Sequence, residues 1–364
     1  MNTENNYIET DLGNVALNPR GEYDSSAAYE YLDAVSYQGG SYFCLAELET
    51  TITGIAPDPG HNSEHWQMIA LPGDMTPEYI AAHDDVINKV LSKNHMVEVN
   101  DTTNPDLVNI SDYNKNQTIY KNEYEKEILE HEDGALYKVI DIKGTSYQGY
   151  LVAVYDPSRV SIATTKYLGK RGEAITTVAK RENAIIAMNA GGFYDPDWNS
   201  NGAQPHGTVI SNGVVVSDFD DANMSGGFVG FNKENKLVLG KFTKEQAVSM
   251  GIRDAVEFGP FLIVNGKSSF VKGNGGWGIA PRTAIGQRSD GIVLFLVING
   301  RLATSIGADM GDLTEIMENY GAVNAANMDG GSSSELVINN KIINHPVAAG
   351  TNGLRDMPTF WVVK

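Results

Sequence analysis

The chain has 364 residues, of which 41% are hydrophobic, and its formal net charge is -19 at pH 7. This length accommodates two or three globular domains, and the acidic balance argues against a nucleic-acid partner, because neutralising phosphates requires basic surface. The longest apolar run, residues 292–298, is long enough only for a β-strand, so no membrane span is expected. The single cysteine, Cys44, excludes an intrachain disulfide and is expected in a buried strand.

The first ten residues, MNTENNYIET, are polar and acidic and lack the basic and apolar regions of a secretion signal. Classical secretion is therefore not indicated. Residues 1–73 predict a small all-β module, in which DAVSYQGGSYFCLAE forms two strands around a Gln38-Gly39-Gly40 turn. Tyr37, Tyr42 and Trp66 either offer flat apolar faces to sugar rings or form the core of this small module.

Residues 74–117 predict a helix followed by a linker. Thr76-Pro77-Glu78 has an N-cap hydroxyl and a proline at the first helical position, and an apolar face extends to about Lys93. Residues 94–117 are polar and only weakly patterned, which is typical of a linker.

Residues 118–364 predict a larger domain made mostly of strands. Asn-Gly pairs at Asn212, Asn265 and Asn299 predict three tight hairpins, and ELVINNKIIN predicts a fourth. A short amphipathic helix is expected over residues 172–181, and a second begins at an N-cap Asp312 and ends at Gly321. Many strands and few helices, without regular βαβ alternation, predict an α+β fold with mixed β-sheets and a few flanking helices.

The segment NMDGGSSSE raises the main functional question. Asp329 ends an apolar strand, and Gly330 and Gly331 allow positive φ, so successive amides there could face an anion. No lysine and no helix follow, which excludes a Walker phosphate loop, and the motif alone is compatible with a structural hairpin. Other strand ends carry similar residues, and these are Asn189, Gly191, Gly192, Glu257, Arg282 and Arg355.

In this order, the motifs NAGGFYD, GPFLIVNG, APRTAIG, NGR and NMDGGSSSELVINN resemble the phosphodiester glycosidase family over about residues 118–364. The resemblance implies hydrolysis of the bond between an anomeric carbon, typically of N-acetylglucosamine, and a phosphodiester oxygen. Glu335 departs from the family pattern, in which a threonine is common.

A phosphate leaving group is already ionised at neutral pH, so one carboxylate at the anomeric carbon and one or two arginines on the phosphate would suffice. We assign Asp329 as the carboxylate and Arg282 to the phosphate, with Glu257 as a second carboxylate candidate. The predicted substrate-binding residues are Asn189, Gly191, Gly192, His206, Gly330, Gly331, Ser333 and Arg355. No cofactor is required by these roles.

Residues 197–202 fit the opening of an EF-hand loop, which makes Ca²⁺ a candidate ligand. The twelfth position is Thr208 and not the bidentate glutamate of a complete loop. The candidate ligands are Asp195, Asp197, Asn199 and Asn201.

The N-terminal segments RGEYDSSAAYEYLDAVSYQGGSYFCLAE, GIAPDPG and HWQMIALPGD are similar to small carbohydrate-binding modules of chitinases and phage tail proteins. The combination implies a hydrolase of the phage virion tail, or an extracellular one, that acts on a phosphate-containing glycan of the bacterial wall, capsule or exopolysaccharide. Expected partners are other phage tail proteins and identical chains in a homotrimer, with no nucleic acid and no membrane. The alternative is a non-catalytic receptor-binding tail protein that keeps the fold and only binds glycan.

Overall fold

The computed structural model describes residues 18–31, 33–38, 40–46, 50–57, 63, 65–70, 102–196, 200–219, 226–269, 277–347 and 354–364. The chain divides into two compact units, Met1–Ser92 and Lys93–Lys364. The helix predicted over residues 76–93 lies outside the described residues. None of the described helices is both long and apolar enough to span a bilayer.

The smaller unit is all-β in its described part, as predicted. Its strands are β1 (Asn18–Glu22), β2 (Ala28–Tyr29), β3 (Asp33–Tyr37), β4 (Gly40–Cys44), β5 (Ile52–Thr53) and β6 (Trp66–Ala70). A four-stranded sheet has the order β1-β3-β4-β6, with β1 and β3 parallel, and β2 pairs with β5. The predicted hairpin is present between β3 and β4, and Gln38 adopts φ 46° in its turn.

The aromatic residues of the smaller unit form its core. Tyr42 and Trp66 are fully buried, and the Trp66 indole nitrogen donates to the Ile55 carbonyl at 2.8 Å. Tyr37 is half-buried and packs edge-on against Tyr23, with ring centroids 5.3 Å apart. The expectation that Tyr42 and Trp66 present flat faces to a sugar is thus corrected, because a small domain has few other large side chains to bury.

Three antiparallel sheets build the larger unit. The seven-stranded sheet contains, in spatial order, β18 (Lys267–Ser268), β17 (Phe261–Val264), β21 (Ala322–Met328), β19 (Arg282–Arg288), β20 (Val293–Ile298), β8 (Gln148–Val154) and β7 (Tyr137–Lys143). One five-stranded sheet contains β23 (Lys341–Ile342), β22 (Leu336–Ile338), β11 (Ile186–Asn189), β25 (Thr359–Val363) and β9 (Val160–Thr164). The other contains β13 (Val214–Phe219), β12 (Gly207–Ser211), β16 (Ile252–Phe258), β14 (Gly227–Asn232) and β15 (Leu237–Gly240).

Helices flank these sheets, so the predicted α+β class is confirmed. They are α1 (Glu123–Leu129), α2 (Ile175–Glu182), α3 (Lys244–Ser249) and α4 (Met310–Asn319), and a two-stranded pair joins β10 (Glu173–Ala174) to β24 (Asp356–Met357). Apolar side chains of all three sheets share one core, which includes Met188, Val256, Phe295 and Trp361. Each large side chain buried there contributes ~1.5–3 kcal/mol through the hydrophobic effect.

Helix α4 begins earlier than the sequence predicted. Its N-cap is Asp309, whose carboxylate accepts from the Asp312 amide while the Asp312 carboxylate accepts from the Asp309 amide. An aspartate three residues after the cap thus completes a reciprocal capping box and is not itself the cap. The predicted apolar stripe of Leu313, Ile316 and Met317 is buried, and the helix ends before Gly321, which adopts φ 80°.

Two of the predicted Asn-Gly hairpins are confirmed and the third is wrong. Asn212-Gly213 and Asn265-Gly266 both place two residues at positive φ, as a type I′ turn requires. Asn299 instead starts a longer loop into α4, because its side-chain oxygen accepts from the His345 amide at 2.8 Å. The residues with positive φ in this loop are Arg301, at 59°, and Gly307, at 126°.

The segment 102–117, predicted as a linker, contacts the larger unit. Two 3₁₀ turns, Pro105–Leu107 and Ile110–Asp112, lie in it. The Thr103 amide donates to the Leu239 carbonyl at 3.0 Å, and the Asn109 amide donates to the Ser289 carbonyl at 2.7 Å. These bonds fix the segment to the sheets.

Candidate active site

The ends of strands β11, β19 and β21 meet at a tight turn that begins at Asp329. The Asp329 amide donates to the Ala190 carbonyl at 3.0 Å, and the Asn189 side chain donates to the Asp329 carbonyl at 2.6 Å. On the other side, the Gly331 amide donates to the Pro281 carbonyl at 2.8 Å. A β-carbon at Gly330 would lie 3.0 Å from that same carbonyl, so the turn requires glycine for its close approach to Pro281.

The Asp329 carboxyl group is half-buried at the base of this turn. Burial raises its pKa to about 6, against the lowering effects of the Ser333 hydroxyl, Arg355 and the Gly330 amide, which donates at 3.0 Å. The buried Ser333 hydroxyl acts through proximity, because it makes no hydrogen bond of normal geometry. A carboxyl group with a pKa near neutrality suits acid–base or nucleophilic chemistry at physiological pH.

Two arginines border the turn on one side. Arg282 is 97% buried: its Nε donates to the Ala308 carbonyl at 3.1 Å, and its Nη2 donates to the Trp277 and Gly278 carbonyls. Its Nη1 lies 3.7 Å from the position of a β-carbon on Gly330. Burial lowers the pKa of Arg282, Asp309 raises it and the charge of Arg301 lowers it, which shows that the two guanidinium groups repel each other.

Arg301 is the second of these arginines, and its role was missed in the sequence. Its side chain is exposed, its Nη1 donates to the Ser332 hydroxyl at 3.1 Å, and its Nη2 lies 3.2 Å from the position of a β-carbon on Gly331. Its only sequence signal is its place in the NGR motif, because the contact with Ser332 joins residues 31 positions apart. Among the described residues, neither Arg282 nor Arg301 forms an ion pair.

Arg355 is a third arginine near Asp329, and it has a carboxylate partner. It forms an ion pair with Asp195, and its guanidinium carbon lies 4.6 Å from the centroid of the Phe193 ring. Arg355 lowers the pKa of Asp329 and Asp195 raises it, so both are electrostatic neighbours of that carboxylate. Arg355 was predicted to bind substrate. It does lie near Asp329, but its charge is already compensated by Asp195.

Glu335 is a fully buried carboxyl group next to this arrangement. Its Oε1 accepts from the Arg355 amide at 2.7 Å, while its Oε2 has no hydrogen-bond partner among the described residues. Burial raises its pKa to about 8, and the Arg355 amide offsets only part of that shift. With this pKa the carboxyl group is mostly protonated at pH 7, and it anchors the backbone of Arg355.

Asn189 connects the turn to its surroundings through its side chain. Its side-chain oxygen accepts from the Thr283 hydroxyl at 2.9 Å and from the Glu335 amide at 3.1 Å. Its nitrogen donates to the Asp329 carbonyl, so these contacts use both acceptor sites and one of the two N–H donors of the amide group. Asn189 thus positions Asp329, and its predicted contact with substrate stays a prediction.

Gly191 and Gly192 give space to protein side chains. A β-carbon at Gly192 would lie 2.5 Å from the Phe258 ring and 3.2 Å from His206, and one at Gly191 would lie 3.1 Å from Val256. The His206 amide donates to the Gly192 carbonyl at 3.0 Å. Substrate was expected to approach these glycines. Instead, the side chains of Phe258 and His206 pack closely against Gly192.

Glu257 is not brought to the Asp329 turn by any described contact. Its Oε1 accepts from the Thr208 amide on the neighbouring strand at 2.8 Å, which bridges β16 and β12. Glu257 is therefore held as part of a sheet, and its assignment as a second catalytic carboxylate has no geometric support.

The candidate calcium ligands do not converge in the described part of the chain. Asp195 uses one carboxylate oxygen for Arg355 and the other for the Ser200 amide, which donates at 2.7 Å. Asn201 donates to the Lys170 carbonyl at 3.0 Å, and Asp197 and Asn199 lie outside the described residues. No group of three or more His, Cys, Asp or Glu side chains within the described ranges could hold a metal ion.

An aromatic residue lies at the rim, beside the arginine pair. Trp277 is 37% exposed, its carbonyl accepts from Arg282 Nη2 at 2.7 Å, and its ring packs edge-on against Phe258 with centroids 6.2 Å apart. The site therefore combines a half-buried carboxylate, two guanidinium groups without ion pairs, and an exposed indole face.

Residues 182–364 match the phosphodiester glycosidase family. The chain is 32% identical over 200 residues to the SPbeta prophage-derived uncharacterized protein YomE of Bacillus subtilis, a match that covers 52% of the chain and 30% of that relative. It is 23% identical over 235 residues to the N-acetylglucosamine-1-phosphodiester alpha-N-acetylglucosaminidase of Mus musculus, a match that covers 57% of the chain and 43% of that enzyme. The chain thus spans less than half the length of these curated relatives.

The fold is similar to that of a solved structure. The catalytic domain of the zebrafish N-acetylglucosamine-1-phosphodiester alpha-N-acetylglucosaminidase, auto-inhibited by its pro-peptide, superimposes with a TM-score of 0.53 at 19% identity. The superposition covers 64% of this chain and 85% of that domain. Because the matched segment carries the Asp329 turn with both of its bordering arginines, the chain belongs to the phosphodiester glycosidase family.

Proposed function

We propose that this protein hydrolyses the glycosidic bond between a sugar of the N-acetylglucosamine type and a phosphodiester. The observation that carries the proposal is the position of Arg282 and Arg301 beside the turn that begins at Asp329. These two cations have no ion pair among the described residues of a chain with net charge -19, so they offer a local site for an anion. A phosphate group, with several charged oxygens, matches two neighbouring guanidinium groups.

The chemistry divides between the two kinds of group. Arg282 and Arg301 would bind the phosphate oxygens and stabilise the negative charge that collects there as the glycosidic bond breaks. Asp329 would act at the anomeric carbon, either as the nucleophile or as the base that activates water. Little protonation of the leaving group is needed, because the phosphate monoester released from the diester leaves as a stable anion. These roles require no cofactor.

The sugar ring would lie against the exposed indole of Trp277. The Arg282 guanidinium carbon lies 6.0 Å from the centroid of the Trp277 ring, so the indole is beside the proposed phosphate position. Flat aromatic faces pack well against the apolar faces of sugar rings.

The nature of one relative supports a proposal for the biological substrate. Similarity to a prophage-derived protein supports a role in a phage tail, in which the enzyme degrades a phosphate-containing glycan of a bacterial wall, capsule or exopolysaccharide. The protein would then act in the virion or outside the cell, with other tail proteins as partners and a homotrimer as a candidate assembly.

The proposal is tested by release of free N-acetylglucosamine from a nucleotide-linked N-acetylglucosamine, a simple sugar 1-phosphodiester. The unaltered protein should release the sugar, and Asp329→Ala should not. Asp141→Ala is the matched control, because Asp141 is an exposed aspartate on β7, in a part of the sheet remote in sequence from the turn. This control should retain full activity.

Tight binding of a phosphate-containing glycan without turnover by the unaltered protein would contradict the enzymatic proposal. That outcome would instead support the alternative, a receptor-binding protein that keeps the fold.

A further inference from the structure

A basic loop lies between β9 and β10. We call residues 166–171 the basic loop; Lys166, Lys170 and Arg171 are exposed there and surround the half-buried Tyr167. The Lys166 ammonium lies 4.9 Å from the centroid of the Tyr167 ring, and the Arg171 guanidinium carbon lies 4.0 Å from it. One aromatic ring thus holds two cations in fixed positions.

The charges of this loop are not compensated within the described part of the chain, where none of the three cations forms an ion pair. The side chains of Lys166 and Arg171 lower the pKa of the Tyr167 hydroxyl, as two cations beside the same ring should. In a chain with 46 acidic and 27 basic residues, three cations within six residues and without carboxylate partners form a local positive site. Such a site favours an external anion.

The loop backbone is held in one conformation. The Lys170 and Arg171 amides both donate to the Tyr167 carbonyl, at 2.8 and 3.0 Å. The Gly169 amide donates to the Ala203 carbonyl at 2.9 Å, and the Gly172 amide donates to the Asn201 carbonyl at 2.7 Å. The cations are therefore presented by a preorganised backbone, which reduces the entropy lost on binding.

The loop is also connected to the candidate active site. The Thr165 amide, directly before the loop, donates to the Pro358 carbonyl at 2.8 Å. Pro358 follows Arg355 by three residues, so their Cα atoms lie at most about 11 Å apart. The residue that precedes the loop is thus bonded to the segment that follows Arg355, an electrostatic neighbour of Asp329.

We propose that the basic loop binds a second phosphate group of the same polymer whose sugar phosphodiester is cleaved at Asp329. This inference rests on the proposed function and extends it: the substrate is a polyanion with repeated phosphodiesters, in place of a single small diester. Lys166, Lys170 and Arg171 bind the distal phosphate, while Arg282 and Arg301 bind the one at the cleaved bond. Two linked sites raise the apparent affinity for a polymer above that for a monomer.

The test compares Lys170→Glu/Arg171→Glu with the unaltered protein on two substrates. One is poly(N-acetylglucosamine 1-phosphate), and the other is a nucleotide-linked N-acetylglucosamine. The ratio of the polymer KM to the small-donor KM should rise about tenfold in the variant at low salt, since two attractive charges become repulsive. Lys143→Glu, an exposed lysine on β7, is the matched control and should keep the ratio of the unaltered protein. An unchanged ratio in the double variant would overturn the inference.

A binding measurement separates this inference from the proposed function. Proteins that carry Asp329→Asn are titrated by calorimetry with the polymer and with inorganic phosphate at equal phosphate concentration. The polymer should bind more tightly than inorganic phosphate, and Lys170→Glu/Arg171→Glu should abolish that advantage, whether or not the unaltered protein turns over. Equal affinity for both ligands before the change would mean that the polymer gains nothing from a second contact, and the inference would fail.

Discussion

Three arginines lie near the Asp329 turn, but they differ in charge balance. Arg282 and Arg301 repel each other and have no ion pair within the described residues, whereas Arg355 is paired with Asp195. The first pair therefore has charge available for a ligand, and the second arrangement has little. An arginine near the candidate carboxylate can therefore have either of two roles. It can bind a substrate anion, or it can set the position and the pKa of the carboxylate.

Removal of the Asp329 carboxylate tests the residue near which all three arginines lie. Asp329→Asn should lower kcat by about a thousandfold or more with little change in KM, because the group acts only at the reacting carbon. Steady-state kinetics on a nucleotide-linked N-acetylglucosamine measure this effect. A variant with more than a tenth of the original kcat would assign the chemistry to another residue.

Removal of an uncompensated arginine should have the next largest effect. Arg301→Gln should lower kcat/KM about ten- to a hundredfold and weaken competitive inhibition by inorganic phosphate, because a charged donor to phosphate is lost. Arg301 is exposed, so the fold should survive the change. Arg159→Gln, another exposed arginine, is the control. Equal inhibition by phosphate in both variants would refute the assignment of Arg301.

Glu335, which is bonded to the backbone of the compensated Arg355, should lower the free energy of unfolding at high pH. Its folded-state pKa of about 8 lies above the ordinary value of 4.5, so its favourable contribution is complete below pH 4.5 and is lost as the pH rises through 8. Glu335→Gln should therefore be more stable than the unaltered protein at pH 9, by on the order of 3–5 kcal/mol, and equally stable at pH 4.5. Urea unfolding at both pH values measures the difference. A variant that is less stable at pH 9 would show that Glu335 is ionised and paired.

The smallest effect is expected from Asp195→Asn. The activity of the unaltered protein should fall below about pH 6, as Asp329 becomes protonated. Asp195 raises the pKa of Asp329, and its removal also leaves Arg355 uncompensated, so the acidic limb of kcat/KM should move to lower pH. A limb that moves to higher pH, or stays in place, would mean that Asp195 does not act on Asp329.

The sequence predicted the central residues of the site, but not how each one is used. Asp329 and Arg282 were identified because family motifs order the strand ends at which they lie. Asn189 and Gly192 were found by the same reasoning, yet they pack and bond within the protein, and short-range patterns do not distinguish close approach of a ligand from close approach of Phe258.

Residues that act across long sequence separations were the hardest to predict. The role of Arg301 depends on a contact with Ser332 that only the fold creates. Tyr42 and Trp66 were ambiguous for a different reason, because an aromatic residue in a small domain serves equally well as core or as binding surface until its burial is known. The α+β class could be predicted from strand and turn patterns alone, because these patterns are local in the sequence.

Identification of the bond that is cleaved tests the central claim most directly. Hydrolysis of a sugar 1-phosphodiester in ¹⁸O-labelled water places the label on the atom that water attacks. If Asp329 acts at the anomeric carbon while Arg282 and Arg301 bind a departing phosphate, the label appears on C1 of the released sugar and the ³¹P signal of the phosphate product is unshifted. Label in the phosphate product would show cleavage at phosphorus and would contradict this assignment of the carboxylate and the two arginines.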